Sequence, residues 1–130
     1  MRRVLLIDDD TAVRNTIAMT LHSLGFEPVS VGSAIEGIER AEREAFDVVL
    51  VDINMPGVDG LEVVKAIARL AHPLPLIAMS GGSTEKDYEV LTVALGARLF
   101  LVKPFRRLEL FEAIAAATSE PVRKANFART

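Results

Sequence analysis

Four short apolar runs punctuate the chain, at residues 4–7, 48–51, 76–79 and 99–102. Each is built mostly of Val, Ile and Leu and stands close to a turn or polar signal. An apolar run of that length without alternation predicts a strand buried on both faces, as in a parallel sheet. A weaker run of the same kind spans residues 28–31. Helical spacing fills the intervals. Val13, Ile17, Leu21 and Leu24 fall on one helical stripe, and Gly25 is placed to end it. Ser33 with Glu36 makes a capping-box pattern ahead of Ile35, Ile38 and Ala41. Leu61, Val64, Ala68 and Ala71 predict a third helix. Thr84 with Asp87 opens a fourth, carrying Tyr88, Leu91 and Leu95 and closed by Gly96. Leu108, Phe111, Ile114 and Ala115 predict a fifth.

Strand and helix thus alternate five times within residues 1–118. That rhythm predicts βαβ units and a three-layer α/β domain, with helices on both faces of a five-stranded parallel sheet. No internal repeat interrupts it. Residues 119–130 lose the apolar rhythm, contain Pro121, and read as a flexible tail or the stump of a linker.

Composition narrows the class. Half of the 130 residues are apolar and a quarter charged, which supports one hydrophobic core and excludes intrinsic disorder. Cysteine is absent, so disulfides, thiolate metal sites and a cysteine nucleophile are excluded. No apolar run approaches the ~20 residues that span a bilayer. The N-terminus reaches Asp8 too early for a secretory signal, and a cytoplasmic protein is expected. The net charge is −3, and the tail holds Arg123, Lys124 and Arg129 against Glu120, so the domain itself is more acidic than the whole. Such a domain is a poor binder of nucleic acid through its bulk surface.

In an open α/β sheet, ligands bind beyond the carboxyl ends of the strands. Asp8, Asp9 and Asp10 follow the first expected strand, and Asp52 and Asn54 follow the third. Ser80 and Gly81 follow the fourth, and Lys103 and Pro104 the fifth. Asp8, Asp9 and Asp52 on one rim repel one another, and a hard divalent cation such as Mg²⁺ removes that cost. Asp10 or Thr11 is placed to cap the first helix. A carboxylate at Asp52, held against Mg²⁺, can attack a phosphorus centre and form an acyl phosphate. Ser80 can donate to a phosphoryl oxygen or serve as a turn serine. Lys103 can pair with a phosphate or with Asp52. His22 and His72 lack metal-spacing partners and read as surface residues.

The segments Leu5-Leu6-Ile7-Asp8-Asp9-Asp10, Val51-Asp52-Ile53-Asn54-Met55-Pro56-Gly57-Val58-Asp59-Gly60, Met79-Ser80-Gly81 and Val102-Lys103-Pro104-Phe105 stand in order. Together they closely resemble the receiver domains of two-component response regulators, over residues 1 to about 118. The resemblance implies a flavodoxin-like fold with strand order 2-1-3-4-5. It implies that Asp52 accepts a phosphoryl group from a phosphohistidine on a sensor histidine kinase or a histidine phosphotransfer protein. It implies Mg²⁺ held by Asp9, Asp52 and the backbone carbonyl of Asn54, with Asp8 acting through a metal-bound water. Lys103 would contact the phosphoryl group, across a cis bond to Pro104. Ser80 and Phe100 would couple phosphorylation to the surface between residues 85 and 117, Ser80 moving toward the phosphoryl oxygen and the ring turning inward. A plain core role for Phe100 is the alternative.

The resemblance also implies a kinase-docking patch of Thr11, Arg14, Asn15 and Ala18 with Pro104 and Phe105. It allows a phosphorylation-dependent dimer through the fourth helix, fifth strand and fifth helix. Output would pass to a downstream effector protein or a missing output domain, with no direct contact to nucleic acid or membrane. Gly81 stands where alanine is usual. Gly81-Gly82 predicts a mobile loop, and Asn54 and Gly82 would flank the path of hydrolytic water. Two other readings compete. One is a degenerate receiver acting only as an interaction module, which loss of an acidic or lysine position would signal; none is lost. The other is a small Mg²⁺ phosphohydrolase similar to the haloacid dehalogenases, suggested by Asp8 and Asp10. It is weakened by Ala12 where Thr or Val is expected.

Overall fold

The computed structural model describes residues 2–72, 74–81 and 85–119, the backbone alone for 85–87. The elements run β1 (Arg3–Ile7), α1 (Thr11–Ser23), β2 (Glu27–Val31), α2 (Ala34–Arg43), β3 (Val48–Asp52), α3 (Gly60–Ala68), β4 (Leu76–Ser80), α4 (Glu85–Leu95), β5 (Leu99–Val102) and α5 (Arg107–Thr118). All sheet pairings are parallel, in the order β2-β1-β3-β4-β5. This is the flavodoxin-like arrangement that the family resemblance implies. The order reverses between β1 and β3, and that switch point opens a crevice at their carboxyl ends.

Alternation along the strands divides the core into two layers. Leu5, Ile7, Val49, Val51, Leu76 and Ala78 face one cluster with Ala34 and Ala41 of α2 and Val63, Val64 and Ile67 of α3. Val4, Leu6, Val48, Leu50, Ile77 and Met79 face the other with Ile17 and Leu21 of α1 and Leu110 and Ile114 of α5. β1, β3 and β4 are therefore apolar on both faces, and Leu5, Leu6, Leu50 and Ile77 are fully buried. Each such side chain contributes roughly 1.5–3 kcal/mol relative to exposure. This rigid centre holds the strand ends in register.

Local chemistry sets the helix ends. The Asp10 side chain accepts from Val13 N–H and caps α1. Ser33 accepts from Glu36 N–H and caps α2. Asp59 accepts from Leu61 N–H and caps α3. Gly25 and Gly96 follow α1 and α4 with positive φ, as their helix-ending role requires. The expected start of α4 at Thr84 lies outside the described residues, as does the tail from residue 120.

Three helix faces differ from expectation. In α5, Leu110, Ala113, Ile114 and Ala117 are buried, while Leu108 and Phe111 are exposed. The helix is apolar nearly all round, so spacing alone cannot select its inner stripe. In α2, Ala34 faces inward and Ile35 outward, because Gly37 packs against Ile7 so closely that a Cβ would lie 2.4 Å from Ile7 Cδ1. In α3, the helix ends before Ala71, and Val63 and Ile67 carry the buried stripe with Val64.

Candidate functional site

Register decides which side chains meet. Ile7 lies beside Val51, so the residues that follow, Asp8 and Asp52, are neighbours at the switch point. Ser80 lies beside Val102 at the ends of β4 and β5, and the N–H of Lys103 bonds Ser80 C=O at 2.8 Å. The peptide bond from Lys103 to Pro104 is cis.

Asp8 and Asp52 are 0% and 3% exposed, which carboxylates tolerate only when partnered. Their partners follow one pattern. Asp8 Oδ1 accepts from the N–H of Asp10 at 3.0 Å, and Asp52 Oδ1 accepts from the N–H of Asn54 at 2.9 Å. Each carboxylate is thus fixed by its own loop two residues on. The remaining oxygens share one cation, Lys103 Nζ lying 3.1 Å from Asp8 Oδ2 and 3.3 Å from Asp52 Oδ2. Sequence reasoning paired Lys103 with Asp52 or phosphate and missed Asp8.

The electrostatics leave Asp52 uneasy. Burial pushes its carboxyl above the usual carboxylate range. The Asn54 N–H and the Lys103 ammonium pull the other way, and Asp8 adds to the rise. For Lys103, burial alone would lower the pKa, but Asp52 and Asp8 outweigh it and hold the ammonium above its ordinary value. Asp9 completes the rim, and oxygens of Asp8, Asp9 and Asp52 lie within 4.8 Å of one another. Three clustered carboxylates, two of them sharing one ammonium and all oxygen donors, suit a hard dication that retains water or phosphate oxygens.

Above these groups opens a cleft of about 520 Å³, lined by Asp9, Asp52, Asn54, Pro56, Gly81 and Lys103 among others. Its floor is held from below. Ile53 and Met55 are each 4% exposed and pin the loop after β3. Gly60 opens α3 against that loop so closely that a Cβ would lie 2.3 Å from the Ile53 carbonyl oxygen. No side chain fits there.

Ser80 is fully buried, and its hydroxyl donates to Asn54 Oδ1 at 2.5 Å. Phe100 is half-buried and packs against the cluster beneath α2, α3 and α4. The Ser80–Asn54 bond was not visible in the sequence. Nor was the role of Arg14, whose guanidinium donates to the Asp8 carbonyl at 2.8 Å. It passes beneath Gly32, where a Cβ would come within 2.7 Å of it. Arg14 therefore braces the aspartate loop from α1. His22 and His72 are exposed, as expected. Beside the site, a second groove of about 480 Å³ runs between α1 and the segment after β5, lined by Ala12, Val13, Thr16, Pro104, Phe105 and Arg107 among others.

Comparisons with known proteins agree with this geometry. A family model described as the response regulator receiver domain matches residues 4–115. The cell cycle transcriptional regulator CtrA of Caulobacter vibrioides strain NA1000 is 35% identical over 114 residues, covering 88% of this chain and 49% of CtrA. The chain thus spans about half the length of that relative. The receiver domain of sensor histidine kinase PA1611 from Pseudomonas aeruginosa PAO1, solved with a magnesium ion coordinated in its active-site cleft, superposes with a TM-score of 0.82. It shares 27% identity over 92% of this chain and 98% of that one. A CheY-like receiver domain protein from Methanospirillum hungatei JF-1 superposes with a TM-score of 0.83 at 28% identity, over 92% and 94% of the two chains.

Proposed function

This chain belongs to the response regulator receiver family, and from that premise we propose that it is a phosphorylation-dependent switch in which Asp52 takes a phosphoryl group from a phosphohistidine. The observation that carries the reading is the position of Asp52. It is a nearly buried carboxylate at the carboxyl end of the central strand, with Lys103 Nζ at 3.3 Å and an open cleft above it.

The reaction asks an oxygen of Asp52 to attack phosphorus in line with the departing imidazole. The O–P bond forms, the P–N bond breaks, and its electron pair returns to the imidazole nitrogen. Asp52 must be ionised to attack. The Asn54 N–H and Lys103 favour that form against burial. Lys103 remains a cation throughout and can turn from Asp52 to a phosphoryl oxygen. Asp9, Asp52 and the Asn54 carbonyl are the groups that would hold Mg²⁺, with Asp8 acting through a bound water. When bound, the ion supplies charge neutralisation at the transferring phosphoryl group. Gly81 leaves the donor's approach clear, since its side has no atoms beyond Cα. The protein works as a regulator whose only chemistry is its own phosphorylation and dephosphorylation.

The groove between α1 and Pro104-Phe105 lies beside the cleft and suits the phosphodonor, a sensor histidine kinase or phosphotransfer protein. Val90, Leu91 and Val93 of α4 and Val102 of β5 are exposed, and they support a phosphorylation-dependent dimer or contact with a downstream effector or output domain. Among the described residues no helix is long and apolar enough to cross a membrane, which suits a switch placed in the cytoplasm. The domain is read as residues 1–118, with the remainder a tail or linker.

The test is intact mass after incubation with acetyl phosphate, with and without Mg²⁺. One phosphoryl adduct is expected, dependent on Mg²⁺ and absent from Asp52→Ala. A folded protein that takes no adduct from acetyl phosphate or from any phosphohistidine donor would leave only the interaction-module reading.

A further inference from the structure

Asn54 touches both ends of the proposed switch. Its backbone N–H bonds the Asp52 carboxylate at 2.9 Å, and its side-chain oxygen accepts from Ser80 Oγ at 2.5 Å. Ser80 is fully buried at the end of β4, whereas Asn54 is exposed on the loop after β3. A hydroxyl has a single proton to donate. While Ser80 gives it to Asn54, it has none to give to a phosphoryl oxygen on Asp52. The carbonyl of Ser80 is tied to the Lys103 N–H at 2.8 Å, so rotation of the side chain can redirect the hydroxyl without that backbone bond breaking.

We infer that the Asn54 side chain is a positioning residue that holds Ser80 in the unphosphorylated arrangement, so that Asn54 and the phosphoryl group compete for one proton. The inference rests on Asp52 being the phosphoacceptor. The competition is asymmetric. When Ser80 turns away, the amide of Asn54, on an exposed residue, can turn to water at little cost. The hydroxyl then gains a charged acceptor, whose hydrogen bonds are about twice as strong as neutral ones. Asn54 therefore tunes the resting population of the switch without blocking activation. Its backbone carbonyl, the group proposed to face Mg²⁺, is untouched by replacement of the side chain.

The experiment titrates beryllium trifluoride, a phosphoryl mimic, at saturating Mg²⁺ into the wild-type chain, Asn54→Ala, Asn54→Leu, Ser80→Ala and Asn54→Ala/Ser80→Ala. Binding is read by calorimetry, and the Phe100 ring environment by NMR. Loss of one competing neutral hydrogen bond predicts about fivefold tighter binding in both Asn54 variants, the equivalent of about 1 kcal/mol. In the Ser80→Ala background the same replacement should change affinity less than twofold. A general loosening of the loop would instead act to the same extent in the Ser80→Ala background. Unchanged or weaker binding by the Asn54 variants overturns the inference, and so does equal tightening with and without Ser80. A wild-type chain that binds no beryllium trifluoride, or binds it equally as Asp52→Ala, overturns the phosphoacceptor reading and the competition with it.

Discussion

The two ends of the sheet carry charge in opposite ways. At the amino end, Arg3 is surrounded by acceptors that satisfy it. Its guanidinium donates to the Ala45 carbonyl at 2.8 Å and to Glu44 at 3.1 Å, and lies 4.6 Å from the Phe46 ring centroid. Its backbone N–H bonds Asp47 at 2.7 Å. Hydrogen bonds from Arg40, and then from Arg3, hold Glu44 below the usual carboxylate range. At the carboxyl end, Asp8 and Asp52 share Lys103 with Asp9 close beside them, and burial pushes Asp52 up. The amino end is at rest. The carboxyl end keeps a deficit of positive charge that an incoming dication would offset. The same strands build both, so the difference lies in the residues at their ends.

Removing the cation from the strained end should have the largest effect. Lys103→Met leaves Asp8 and Asp52 buried without their shared partner, and should cost about 3 kcal/mol in urea unfolding without divalent ions. Adding Mg²⁺ should recover much of that loss, and the variant should bind Mg²⁺ more tightly than wild type. At the satisfied end, Arg3→Ala should lower Tm by less, and Mg²⁺ should leave that loss unchanged. Equal Mg²⁺ rescue of both variants would erase the contrast between the two ends.

Asp52→Asn should raise the stability of the metal-free protein at neutral pH. The sign follows from linkage. The folded-state pKa of Asp52 lies above its unfolded value, so its contribution to stability is complete below the unfolded value and is lost as pH rises through the folded one. The variant's advantage should therefore grow as pH rises through that window and vanish below it. A pH series of thermal melts checks this. The smallest effect belongs to Gly81. A Cβ there would meet Lys103 Cβ at 3.7 Å, an ordinary contact, and the residue has no positive φ. Gly81→Ala should stabilise by about 0.5 kcal/mol through the unfolded chain, without blocking phosphorylation.

The strands were legible because residues buried on both faces must be apolar without interruption. The runs at 4–7, 48–51 and 76–79 each fall within a strand, and that at 99–102 coincides with β5. The rim aspartates, Ser80 and Lys103 were legible as polar residues ending those runs. α5 was misread because Leu108, Leu110, Phe111 and Ala113 offer several apolar stripes, and only packing against Leu50 and Ile77 selects one. The Ser80–Asn54 bond joins the ends of neighbouring strands, and Arg14 reaches a backbone carbonyl beneath Gly32. Both depend on register and loop shape, which leave no spacing signature in the chain. The loop beyond Gly81, expected to be mobile, includes Gly82 and lies outside the described residues.

The central claim is that one carboxylate among several carries the phosphoryl group. Acyl phosphates are reduced by borohydride, which converts a phosphorylated aspartate to homoserine and leaves a free one intact. The chain should be phosphorylated with acetyl phosphate and Mg²⁺, reduced, digested and mapped by mass. The account predicts homoserine at position 52, with Asp8, Asp9 and Asp10 unchanged. Reduction at Asp8 or Asp9 with Asp52 intact would contradict it.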